Sequence, residues 1–171
     1  KEPADPKEPA KDVEPTPIEV LDAPAGQPRV AKTPSLMTGS KVRMLNLRLD
    51  GLVDLPTADG TIRALRFSMD QAVTEDFRLR VTSEDKTTDY RSNTLTVSGD
   101  VKFYATRFTG RLNLAGIQTP LVVTLSVEKP LLPDGFPLPI PGWISFTDPE
   151  IDLVFVDCDK LTALPLNLVA R

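Results

Sequence analysis

The side chains able to do chemistry set the first limits on this chain. It has no histidine. That removes the commonest general base and metal ligand near neutral pH, and with it every Ser-His-Asp and Cys-His arrangement. The one cysteine, Cys158, has no intrachain partner for a disulfide. It shares parity with Val154 and Val156 and reads as a buried, inert thiol. Asp148, Glu150, Asp152, Asp157 and Asp159 form an acidic cluster. Oxygen-rich clusters suit Ca²⁺, but EF-hand spacing and a glycine-rich Ca²⁺ repeat are both missing, and alternating acids on a strand read as a solvated face. No metal and no cofactor is expected. Carboxylate pairs can cleave glycosidic bonds, yet no spacing here singles out a pair, and sugar-stacking aromatic residues make up only 6% of the chain. Arg43, Arg48, Arg63, Arg66, Arg78, Arg80, Arg107 and Arg111 are placed to form cross-strand ion pairs with Asp50, Asp70, Asp100 and Asp152; an anionic ligand is the alternative use. The chain reads as non-enzymatic.

The residues best suited to binding are apolar. Pro130 to Trp143 reads PLLPDGFPLPIPGW, with five prolines and the only tryptophan. Proline lacks a backbone donor, so this cannot be a central strand. It reads as a loop, yet it is too apolar for one that runs in water. Leu131, Leu132, Phe136, Leu138, Ile140 and Trp143 are the candidate interaction or ligand-loop residues. The segment either caps the open end of a β-core, covers an apolar ligand, or docks on a protein or lipid, since large exposed apolar patches mark such contacts. Tryptophan suits an interface or a membrane surface.

These segments need a scaffold, and the pattern says which kind. From Thr94 to Ala115 the chain alternates: Leu95, Val97, Val101, Phe103 and Ala105 on one face, Thr94, Thr96, Ser98, Asp100, Lys102 and Tyr104 on the other. After Thr106 the apolar parity moves to Phe108, Leu112 and Leu114, so one residue must be absorbed near Ala105–Arg107 by a bulge or turn. Gly99 and Gly110 mark bends or close backbone approaches. Lys41–Leu55 is a strand with another parity change near Met44. Asp59-Gly60 forms a hairpin turn, followed by a strand over Ile62–Met69. Asp70–Asp76 is ambiguous between helix and loop. Phe77–Val81 alternates, and Ser83–Asn93 is a polar loop. Leu121–Val127 and Ile151–Phe155 alternate, and the leucines from Leu161 to Leu168 form a strand or edge piece. The fold class is all-β: an antiparallel sandwich or a curved, partly open barrel-like sheet of about seven to eight strands.

The chain divides into two parts. Residues 1–34 hold 8 of the 17 prolines, 12 charged residues and no aromatic residue. This segment is expected to be an extended spacer, with docking of Ile18–Leu21 and Val30 on a partner as one alternative. Residues 35–171 are the single β-domain. Net charge is −4, from 20 basic and 24 acidic residues, which argues against nucleic acid as a partner. No apolar run reaches the roughly 18 residues of a membrane helix. The chain opens on Lys1 without a signal peptide, as a mature or trimmed form does.

Ser98–Leu112 (SGDVKFYATRFTGRL) and Leu49–Asp70 (LDGLVDLPTADGTIRALRFSMD) resemble segments of secreted, β-rich envelope proteins of uncharacterised function from high-GC Gram-positive (actinobacterial) bacteria. The resemblance implies an extracellular or cell-envelope setting and carries no functional residues. The leading expectation is a structural or interaction protein that contacts a protein partner, a second copy or a membrane surface through residues 130–143, the tail, or both. The alternative is a carrier or sensor of an apolar ligand such as a lipid, held inside the curved sheet.

Overall fold

A computed structural model describes residues 18–130 and 140–170, with side chains as far as Asn167 in the last strand. The strands are β1 (Val20–Leu21), β2 (Ser35–Thr38), β3 (Lys41–Thr57), β4 (Gly60–Ser83), β5 (Lys86–Leu114), β6 (Ile117–Ser126), β7 (Ile140–Asp157) and β8 (Lys160–Ala170). The described residues contain no helix. All eight strands belong to one sheet. The curved sheet is therefore the form found, and it is mixed, because β1 runs parallel to β3 while every other pair is antiparallel.

The expected central stretch makes up most of β5, a 29-residue strand, from Thr94 to its end at Leu114. It pairs with β4 and then β6 on one side, and with β8 and then β7 on the other. β2 and β3 act as one interrupted strand between β4 and β7: Thr38 faces Arg78 and Glu150, and Lys41 faces Glu75 and Thr147. The pairings β3–β4–β5–β7–β3 thus run round a partial ring. Its interior is filled by side chains of the expected inward parity, including Leu65, Met69, Val101 and Ala105, each fully buried. Phe108 packs between Phe67 (ring centroids 5.8 Å apart) and Phe146 (4.9 Å, edge-on).

Strands this long must bend to enclose a core, and the sequence marks where. The β5–β7 register shifts on both sides of Ala105, at the expected parity change. The change expected near Met44 falls at Asn46, whose φ is +56°, with a register shift between Leu45 and Leu47. Gly99 (φ +83°) supplies both a bend and a close approach: the Asp159 amide donates to the Gly99 carbonyl at 3.0 Å.

Several expectations are corrected. Asp70–Asp76 is strand, not helix or loop, and lies within β4 between β3 and β5. Its alternation is hidden because Ala72, Val73 and Thr74 are buried in succession, and Asp76 at its end takes a left-handed conformation (φ +53°). Ser83–Asn93 is the end of β4, a tight turn and eight residues of β5, in which Asp89 is buried against Arg78 and Arg80 of β4 and Ser92 bonds to the Thr94 carbonyl. The β3–β4 turn is Ala58–Asp59, one residue earlier than expected, closed by the Thr57–Gly60 pair. Tyr104 is buried, not on a wet face. Leu21, Ala23 and Val30 pack with Val53, Leu55 and Tyr104 on the outer face of the ring. The apolar residues Leu21 and Val30, for which docking on a partner was one alternative, thus lie on their own sheet. The Leu52 amide donates to the Glu19 carbonyl (2.7 Å) and the Val30 amide to the Pro56 carbonyl (2.8 Å).

Candidate functional site

Beyond the ring, the ends of β4, β5 and β8 continue as a three-stranded extension. β8 pairs with β5 on one side, and its other edge meets no strand among the described residues. Between this extension and the end of β7 lies an open cleft of about 360 Å³. One wall is Phe77 and Leu79 of β4 with Tyr90, Leu95 and Val97 of β5; the other is Leu153–Val156 of β7; Leu161, Ala163 and Leu166 of β8 form the rim, and Met37 and Phe103 the floor toward the core. Among the described residues, Ser35 is the only lining side chain that carries a hydroxyl besides the Tyr90 phenol.

The cleft's curvature has a local cause. Tyr90 and Leu95 both line it although they stand five positions apart, an odd spacing that strict alternation forbids. The same holds on β8 for Ala163 and Leu166. Both β5 ladders skip a rung at Asn93, opposite Asp76 on one side and Pro165 on the other. Three strands therefore change face along one line. Asp76 takes the left-handed backbone that aspartate tolerates (φ +53°), and Pro165 has no amide to leave unpaired. Ser92 Oγ donates to the Thr94 carbonyl at 2.9 Å, stitching the bend.

The opposite face of the extension is polar. Asp89 is 1% exposed and accepts from Arg78 Nη2 and Arg80 Nε, both at 3.0 Å. The Arg80 hydrogen bond, and then that of Arg78, holds its carboxyl down at about 2 against the opposing effect of burial. The sequence reading placed Asp89 in a loop and gave it no partner; the Asp-Tyr-Arg run opposite Arg78-Leu-Arg80 was the available signal.

The sequence-derived site residues lie elsewhere. Leu131, Leu132, Phe136 and Leu138 fall outside the described residues. Ile140 is half-buried at the start of β7 beside Leu47. Trp143 is half exposed, with the Arg43 guanidinium 5.6 Å from its ring centroid. Trp143 and Leu153 stand ten positions apart along β7, about 33 Å of chain at the usual strand rise, so Trp143 and the cleft lie at different ends of that strand.

Among the acids, Asp152 and Glu150 pair with Arg107 at 3.1 and 3.3 Å, and among the described residues no group of three His, Cys, Asp or Glu stands close enough to hold a metal ion. Of the expected ion pairs, Asp50 meets Arg66 at 2.8 Å, whereas Asp70 accepts from Asn46 and Asp100 pairs with Lys102. Cys158 is half-buried against the core, and burial pushes its thiol pKa up. No family model, no curated protein and no solved structure matches the chain.

Proposed function

We propose that this protein is a non-enzymatic carrier or sensor of an apolar ligand, a lipid chain or similar molecule, bound between the ring and β8. The observation that carries the reading is the cleft: about 360 Å³, walled by leucine, valine and aromatic side chains and open on one side. That volume falls within the roughly 300–1,000 Å³ of small-molecule sites, which are mostly apolar. The ring core beside it is filled, so the space is local to the extension. A cell-envelope or extracellular setting goes with this reading, supported by the spacer-like N-terminal composition and the sequence resemblance.

The test is titration of the full chain with the neutral fluorophore N-phenyl-1-naphthylamine, beside native mass spectrometry of protein purified from its own cells. Saturable enhancement at one site per chain and a co-purifying lipid mass are expected. A bare multimer that leaves the probe unbound would overturn the reading.

A second reading, a structural or interaction subunit, is favoured by a separate observation. Leu114, Ile117, Leu121 and Val122 are exposed on the β5–β6 hairpin, and β6 pairs only with β5 among the described strands. An edge of this kind is a template for another chain.

A further inference from the structure

The fold turns Trp143 toward water. Ile144 and Phe146, of the opposite parity on β7, are buried. Trp143 pairs with Leu45 in the β3–β7 ladder, so register fixes its outward direction. The backbone beneath it is pinned: the Gly142 amide donates to Asn46 Oδ1 at 2.7 Å, and Asn46 Nδ2 donates to Asp70 at 2.6 Å. Ile140 and Pro141, which open β7, border an open recess of about 320 Å³ with Asn46 and Arg48. One strand away, Leu114 follows the Asn113–Ser145 rung and pairs with Ile117 at the end of the β5–β6 hairpin; both are exposed. The strand ends here thus carry apolar side chains in water.

Cations flank this apolar end. Cross-strand partners share a face, so the outward row Trp143, Ser145, Thr147 takes in the side chains paired with it. Arg43 stands opposite Ser145, and Lys41 and Arg111 stand on either side of Thr147. The Arg43 guanidinium lies 5.6 Å from the Trp143 ring centroid, and Arg48 borders the recess. Of the acids nearby, Glu75 reaches Arg43 only at 4.0 Å, the outer limit of an ion pair. Asp70 is held by Asn46, and Asp148 lies past Thr147, at the end of the row away from Trp143. Basic side chains therefore lead at the tryptophan end, on a chain whose net charge is −4.

We propose that this end of the sheet docks on the surface of an anionic lipid bilayer. Trp143, Pro141, Leu114 and Ile117 sit at headgroup depth, Arg43 and Arg48 meet the lipid phosphates, and Lys41 and Arg111 stand next in line. The bilayer meets the strands end-on, so side chains on both faces of their ends reach it. The proposal is separate from the cleft and does not depend on it. Indole rings favour the membrane interface, where one side is apolar and the other wet. Arginine and lysine lay their stems along apolar surface and keep the charge among the headgroups. Binding of this kind grows with the apolar area buried and with the attraction of cations to anionic lipid. A second copy meeting this end about a two-fold axis would bring the same cations to the same place, so charge favours the lipid over self-association.

Trp143 is the only tryptophan in the chain, so its emission reports the contact. The full chain is mixed with vesicles of phosphatidylcholine alone, or of equal parts phosphatidylcholine and phosphatidylglycerol, and read by emission and by co-sedimentation. The anionic vesicles should shift the emission to the blue. They should carry the chain down at lipid concentrations about tenfold or more below the neutral ones, an advantage that shrinks as salt is raised. Arg43→Gln and Arg48→Gln should each raise the lipid concentration needed about fivefold, the scale of one basic residue near such a surface. Trp143→Ser should weaken sedimentation with both vesicles. If Arg43→Gln does not fold, Arg48→Gln decides alone, because that side chain is exposed; unchanged sedimentation there overturns the proposal. Equal sedimentation with the two vesicles, or none with either, also overturns it. So does a blue shift that grows with protein concentration in the absence of vesicles, which assigns this end to a second copy. Uptake of single lipids by the cleft leaves the chain in the supernatant with the Trp143 emission unchanged, a result that sinks the bilayer contact and spares the carrier reading.

Discussion

Asp89 and the arginines around it make a residue-scale prediction about acid. The folded-state carboxyl sits at about 2, below its ordinary 3.8. A depressed carboxylate pKa means the unfolded chain binds the proton more readily, so the ion pairs stabilise the fold fully above about pH 4 and lose that effect as pH falls through 2. Asp89→Asn should therefore be less stable than the native chain at neutral pH, with a lower urea midpoint and an unchanged slope. The gap between the two should close as pH falls from 4 toward 2. A gap that stays constant with pH would show that the carboxylate's charge is not what matters. Phe108 makes a contrasting prediction. It is 4% exposed and stacks on two rings, so Phe108→Ala should cost about 3–5 kcal/mol at every pH by leaving a cavity. Chemical denaturation at two pH values separates the polar effect from the apolar one.

At the scale of elements, β1 is the piece most exposed to a single change. It joins β3 through Val20 and Leu21 alone, at the register shift between Leu49 and Gly51. Gly51 has φ +157°, and a Cβ there would stand 2.7 Å from the Glu19 carbonyl oxygen and 2.9 Å from Leu21 Cγ. Gly51→Ala should destabilise by about 1–3 kcal/mol. It should also release β1, which hydrogen exchange at the Leu52 amide reads directly. Retained protection there would mean that the segment from Ile18 to Val30 holds by its side chains and not by this strand pair. The sequence made the interior of the ring legible for a clear reason. Val101, Phe103, Ala105, Phe108 and Leu112 face the core in the order their parity demands, and the bulge between them follows from geometry. The polar half of the sheet was not legible. In Lys86–Asn93 the buried side chains are polar, Asp89 held by Arg78 and Arg80 of β4 and Ser92 by the backbone, so composition alone gave a loop. The β3–β7 pairing, Leu45 beside Trp143, joins residues too far apart in the chain for any local pattern to specify. The cleft was missed because the line through Asp76, Asn93 and Pro165 breaks alternation on three strands at once, and each break taken singly resembles a strand end.

At the scale of the whole molecule, the two functional readings occupy opposite ends, and that separation makes them independently testable. The cleft lies by Leu153–Val156 and β8, whereas Trp143 and the exposed side chains of the β5–β6 hairpin lie at the far end of the sheet. Ala163 lines the cleft at its rim and is half-buried. A tryptophan there places an indole in the space a ligand needs. Because the cleft is open on one side, the larger ring can tilt outward. The cost to stability should stay below about 1 kcal/mol, less than the usual 1–3 for overpacking a closed core. Ala163→Trp should then weaken binding of the neutral probe at least tenfold while the denaturation midpoint barely moves. Trp143→Ser should do the reverse: leave the probe untouched, and shift the native mass only if that end meets a partner or a second copy. Probe binding that survives Ala163→Trp unchanged would remove the cleft as the ligand site. A mass shift in Trp143→Ser together with that result would leave assembly as the function of the fold, with the extension serving only to close one end of the core.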